Sequence, residues 1–242
     1  DLSLGRTPAH LDAAKGALIH TATPTIDACK RLGKLVLDRD PAWTWSYVQV
    51  LLQQHRFAHA KRVLSNAPAT VKLGFNKAVA IEIIDRPTVW LKRNEKKLNR
   101  VPARLKVIAA LRLAPKNETE AATIASSMSK LNPQTKTLLW SQIGLNAALN
   151  RNDKAVDYFR RATSGLPQAK HCVGLENILQ WQLRAALMQK NWQELLTCLN
   201  RAPSSLTKSP CWIFWKGYAL IQTRKIAQGK TVLRSIVKNT DF

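Results

Sequence analysis

Three stretches of this chain repeat one phrase, and that phrase restricts the fold more than any other feature. "VLLQQHRFAHA" runs from Val50 to Ala60, "AALMQKNWQEL" from Ala185 to Leu195, and "ALIQTRKIAQG" from Ala219 to Gly229. Each opens on a small or apolar triplet and continues through three or four polar residues. A lone apolar residue follows (Phe57, Trp192, Ile226), and three places later a second helix is under way. A shortened copy, "NAALNRNDKA", begins at Asn146. A unit of helix, tight polar turn and helix has an apolar face it cannot cover alone, so stacking on its neighbours must supply the core. Ala185 and Ala219 lie 34 residues apart, the period of a tetratricopeptide helix pair. The other spacings are irregular, 39 residues from Asn146 to Ala185 and nearly a hundred from Val50 to Asn146. The expected fold is all-α: a right-handed α-superhelix, or solenoid, of antiparallel helix pairs, tetratricopeptide-like but degenerate, as one domain over residues 1–242.

The helix starts are legible. Thr7-Pro8, Thr23-Pro24, Asp40-Pro41, Asn132-Pro133 and Ser209-Pro210 each place a capping side chain before a proline. The cap oxygen can accept from a first-turn amide, and proline at the first helical position loses no hydrogen bond. Asn117 and Glu120 have the spacing of a capping box. Apolar residues recur at three and four, as in Trp212, Trp215 and Ala219. Period-two alternation and Asn-Gly or Asp-Gly hairpin turns are both missing. Helices of about 10 to 18 residues follow from the caps and breaks. Gly217 and Gly229 are expected to let the two helices of the last pair approach closely.

Composition narrows the partners. With 38 Lys and Arg against 15 Asp and Glu, the formal charge is +23, which points to nucleic acid, an anionic membrane surface or an acidic polymer such as a cell wall. No apolar run approaches the 18 or so residues of a membrane span. The chain opens at Asp1 without a basic stretch or apolar signal core, so a targeting segment is expected to be absent from it. Cys29, Cys172, Cys198 and Cys211 form no CxxC pair and read as small buried hydrophobes. Cys198 and Cys211 flank one turn, where antiparallel neighbours could bring them within bridging reach.

Catalytic constellations are missing. The nine glycines never fall in a GxGxxG or Walker arrangement, and GxSxG does not occur. His55 and His59 are four apart, but His55 sits in a turn and no Cys or carboxylate completes a metal site. Glu82, Glu95, Glu118, Glu120, Glu176 and Glu194 read as surface charges, with no second acid beside them. We assign no catalytic residue, no cofactor and no metal ligand. Among eight tryptophans, Trp140, Trp181, Trp192 and Trp215 lie at helical spacing among Leu, Ala and Val and read as core; the competing role is an aromatic platform for sugars or bases. The densest basic run is "KRNEKKLNRVPARLK", from Lys92 to Lys106. Lys92, Lys96 and Arg100 would line one helical stripe, with Arg93 and Lys97 beside it. Together with Arg104 they form a candidate polyanion-binding patch, weighed against an ordinary solvated face.

The C-terminal third carries a resemblance. "LENILQWQLRAALMQKNWQELLTCLNRAP" followed by "SPCWIFWKGYALIQTRKIAQGKTVLRSIVKNTDF" resembles the end of the α-superhelical, U-shaped domain of Slt-type soluble lytic transglycosylases. The matching positions are Trp181, Ala186-Leu187, Trp192, Trp212, Trp215 and Ala219-Leu220. "DPAWTWSYVQVLLQQHRFAHAKRVLSNAP" and "LLWSQIGLNAALNRNDKAVDYFRRA" look like preceding repeats, so the resemblance covers the chain from about Asp40. It departs at Cys211 and at Thr223, which replaces a turn glycine. The resemblance implies a bacterial periplasmic enzyme that breaks the MurNAc–GlcNAc bond of peptidoglycan without water, leaving a 1,6-anhydro end. In that family a lysozyme-like domain after the superhelix carries the catalytic acid, a Glu followed by Ser. No Glu-Ser occurs here, so no catalytic residue carries over, and that domain is expected beyond Phe242. The resemblance implies a scaffold that docks its catalytic domain and contacts peptidoglycan. The alternative is a basic helical-repeat module binding RNA or a protein partner; turn residues that differ from copy to copy speak against a base-reading code.

Overall fold

A computed structural model describes residues 41–164 and 175–239. Thr7, Thr23, Cys29, Asp40 and Cys172 lie outside the described residues. Thirteen α-helices and one 3-10 segment account for the secondary structure there, with no strand among the described residues. The described residues are all-α, and within each unit the helices stack in a solenoid-like way. Packing divides it into two compact units, Asp1–Ile143 and Gly144–Phe242.

In the first unit, α1 (Pro41–Gln53), α2 (Phe57–Asn66), α3 (Lys77–Asp85) and α4 (Pro87–Asn94) lead through a 3-10 segment (Glu95–Arg100) to α5 (Ala103–Leu113), α6 (Glu118–Ser126) and the first part of α7 (Pro133–Leu149), whose residues from Gly144 onward belong to the second unit. Helix α5 is the centre, packed against α1, α3, α4 and α6. All residues from Leu105 to Leu111 are buried, so this helix has no wet face. Its cations therefore turn to carbonyl groups at the ends of neighbouring segments. Arg112 Nε donates to Ile84 O at 2.7 Å, Arg104 to Leu73 O at 2.7 Å, and Lys106 Nζ to Ser127 O at 3.2 Å. Ile84 lies in the last turn of α3 and Ser127 is the C-cap of α6, where orphan carbonyls and the helix dipole both favour a cation.

In the second unit, α8 (Ala155–Thr163), α9 (Leu175–Met188), α10 (Trp192–Arg201), a short α11 (Ser204–Thr207), α12 (Pro210–Gln222) and α13 (Ile226–Asn239) stack in chain order. Helix α8 packs on α9, α9 on α10, α10 on α12 and α12 on α13. The tightest joint is the last. A Cβ on Gly229 would lie 2.7 Å from Gly217 O, and one on Gly217 would lie 2.7 Å from Leu233 Cγ, so the two glycines set the approach. Several helices are shorter than the expected 10 residues, α4 with 8 and α8 with 9 among them. Stacking, rather than length, holds such short helices.

The repeated phrase is one backbone device used four times. His55, Arg151, Lys190 and Arg224 have φ of 58°, 55°, 52° and 65°. At each, two amides bond back into the helix just ended. His55 N donates to Leu52 O at 3.1 Å and Arg56 N to Leu51 O at 2.8 Å. The pairs Arg151 to Ala148 with Asn152 to Ala147, Lys190 to Leu187 with Asn191 to Ala186, and Arg224 to Ile221 with Lys225 to Leu220 repeat it within 0.1 Å. This is the Schellman cap, and its left-handed residue is usually glycine.

Caps follow the asparagines more than the prolines. Asn132 Oδ1 accepts from Thr135 N at 2.7 Å, and Asn117 Oδ1 from Glu120 N at 3.0 Å, both as expected. Asn76 and Asn191 cap α3 and α10 in the same way. Ser209, expected to cap α12, makes no such bond. Cys198 and Cys211 are both free thiols, one buried and one exposed, so the bridge does not form.

Candidate polyanion-binding surface

The basic run from Lys92 to Lys106 does not make one helical stripe. Helix α4 ends at Asn94, and the next six residues wind as a 3-10 segment, so the hundred-degree register linking Lys92, Lys96 and Arg100 is broken. Lys92, Lys96, Lys97 and Arg100 are exposed. Arg93 is exposed too, but its guanidinium is ion-paired with Glu82. Arg104 has turned inward. It lies 5.3 Å from the centroid of the buried Trp45 ring while bonding Leu73 O, and burial pushes its pKa down. It serves the core, so the surface group consists of the other five residues.

Part of the charge surplus is thus structural. Burial lowers the pKa of Lys106 and of Arg112; for Arg112, Asp85 opposes the shift. Arg112 also covers the Phe57 ring at 3.7 Å. In the second unit Arg201 bonds Thr163 O, the last carbonyl of α8, at 3.1 Å.

Glu194 is a buried carboxylate and not the surface charge expected. It accepts from Arg160 at 2.9 Å and from Gln182 Nε2 at 2.7 Å, and its own amide takes the Asn191 cap. Arg160, also paired with Asp157 at 2.7 Å, has its pKa raised chiefly by the bond to Glu194. This group ties α8, α9 and α10 together. The two histidines separate: His59 meets Tyr47 edge-on at 5.6 Å, whereas His55 occupies the left-handed turn and meets Phe57 at 5.7 Å.

The tryptophans divide. Trp45, Trp90, Trp140 and Trp212 are buried as core residues. Trp181, Trp192 and Trp215 are only half-buried, against expectation. The last two belong to an aromatic ledge on α10 and α12 that helical spacing alone did not distinguish from core. Phe214 and Tyr218 stack one turn apart, 45% and 36% exposed, with ring planes 21° apart. Tyr218 meets Trp192 edge-on at 5.3 Å and Trp215 at 5.8 Å. The readable signal was Phe214 and Tyr218 standing at i and i+4, offset from the stripe of Trp212, Ala219 and Leu220 that goes inward. Flat apolar rings of this kind can stack on sugar faces or bases.

No protein-family model matches the chain, and no curated protein matches it. A solved structure is similar: an inactive mutant of the lytic transglycosylase Slt from Pseudomonas aeruginosa, at a TM-score of 0.64 and 15% identity. The chain has an Slt-like fold. The likeness covers 97% of this chain and 38% of that one, so this chain spans well under half of the neighbour's length. At that identity the likeness is one of fold alone.

Proposed function

We propose that this chain is the non-catalytic superhelical scaffold of a peptidoglycan lytic transglycosylase, acting in the bacterial periplasm. Its parent would cleave the MurNAc–GlcNAc bond to give 1,6-anhydroMurNAc ends, with the chemistry in a separate domain that this scaffold docks. The observation that carries the reading is the Slt-like fold over 97% of the chain. Two further features support wall contact. The formal charge of +23 attracts a polymer bearing carboxylates, and the exposed Phe214 and Tyr218 rings offer apolar faces to sugars.

Incubation with purified sacculi tests both halves of the proposal. The chain is expected to co-sediment with sacculi and to release as salt rises, since attraction between exposed charges is screened over about 8–10 Å at ordinary ionic strength. It is expected to liberate no anhydro-muropeptides, because no Glu-Ser pair is present. Liberation of such products by pure protein would overturn the scaffold role. Failure to sediment at low salt would overturn wall contact.

A further inference from the structure

Three Schellman turns recur through the second unit, and each places a cation where glycine is the usual choice. Arg151, Lys190 and Arg224 have left-handed backbones and exposed side chains. Lys154 and Lys225 stand beside the first and third, also exposed. The turn residues differ in identity between copies, yet share backbone and charge. The first two turns touch: Gln189 Nε2 donates to Asn152 O at 3.5 Å. Packing of α10 on α12 sets the third pair against the second, and packed helices sit about 8–10 Å apart. The cations therefore recur along one edge, roughly one layer at a time.

Between the first two turns lies a cleft of about 400 Å³, whose lining includes Ala148, Arg151, Asp153, Ala155, Met188 and Gln189. Ala148 and Ala155 are buried and Met188 is 52% exposed, so the cleft has an apolar floor and a flexible thioether wall. Arg151 and Asp153 both line it, and neither side chain is engaged by an ion pair among the described residues. A cation and an anion over a floor of alanines suit a small-residue peptide that carries a carboxylate and an ammonium.

We propose that this turn edge, Arg151, Lys154, Lys190, Arg224 and Lys225, binds the cell-wall polymer, and that the cleft receives a short peptide branch bearing both charges. The identity of the polymer rests on the wall reading above; the cationic edge does not. Arg151 meets the branch carboxylate and Asp153 its ammonium, while the outer cations follow the remaining acid groups of the strand.

The test uses the full chain, with sacculi and poly-L-glutamate as separate probes. Arg151→Gly, Lys190→Gly and Arg224→Gly are combined; glycine suits the left-handed turn, so the variant is expected to melt no lower than the wild type. Its binding to both probes is expected to weaken by roughly tenfold. Asp153→Asn is expected to weaken binding to sacculi and to strengthen binding to poly-L-glutamate, which offers no ammonium. A triple variant that binds sacculi like the wild type sinks the edge and leaves the wall reading standing. Wild-type chain that ignores sacculi but binds poly-L-glutamate through these residues sinks the wall reading and leaves the edge. Stronger sacculus binding by Asp153→Asn sinks the peptide branch. Single-stranded RNA displacing the chain from sacculi at far lower charge equivalents than wall fragments do would replace the wall polymer as occupant.

Discussion

At the scale of single residues, backbone and burial decide which side chains are free to act. His55 holds a left-handed φ of 58° without the conformational freedom of glycine. His55→Gly should therefore raise stability by about 0.5–1 kcal/mol, read from the denaturant midpoint, because the strained conformation becomes ordinary. An unchanged or lower midpoint would show that the Phe57 contact outweighs it. The two described cysteines diverge for a different reason. Burial, with Glu194 nearby, pushes the Cys198 thiol up to about 12, whereas Cys211 is exposed. With Cys29 and Cys172 changed to Ser, a thiol reagent should modify Cys211 quickly and Cys198 only as the chain opens. The sign for stability follows from the same shift: the thiolate forms more easily in the unfolded chain. The contribution of Cys198 is then whole below about pH 9 and is lost as pH rises towards 12. Equal native-state modification of both thiols would contradict the burial.

At the scale of elements, the closest contact in the second unit is between α12 and α13. Gly229→Ala places a methyl 2.7 Å from the Gly217 carbonyl oxygen, a backbone atom that cannot rotate away. Helix propensity favours alanine by about 1 kcal/mol, but overpacking against backbone costs about 1–3 kcal/mol. The expected result is a net loss of stability in urea unfolding; a gain would mean that the helices separate easily. This joint was readable from Gly217 and Gly229 alone, since two glycines on facing helices have few other uses. The helix starts at Asn117 and Asn132 were readable for the same local reason: cap and amide lie three residues apart. Ser209 was misread: its backbone is extended like that of Asn76, yet its hydroxyl makes no cap bond. The end of α4 at Asn94 was missed as well, since nothing in "KRNEKKLNR" breaks a helix by propensity. Leu98 must go inward, and the tighter 3-10 winding puts it there.

At the scale of the whole molecule, an excess of cations has two destinations. Arg104, Lys106, Arg112 and Arg201 satisfy carbonyls within the scaffold, while Lys92, Lys97, Arg151 and Lys190 face water. Changing Lys92, Lys96, Lys97 and Arg100 together to Gln should weaken sacculus binding and flatten its salt dependence without lowering the melting temperature. A lowered melting temperature would show that the 3-10 segment needs its charges. The sequence by itself determined the helix content, the tight turns and the repeating unit, because hydrogen bonds within a helix, its caps and its turns join residues only a few places apart. Which apolar rings stay wet, which cations turn inward and which carboxylate is buried were decided only by the tertiary structure. Those outcomes depend on what a neighbouring helix presents. Trp212 and Phe214 stand on opposite faces of α12, and only the packing of α10 and α13 against that helix decides that the first face is buried and the second exposed.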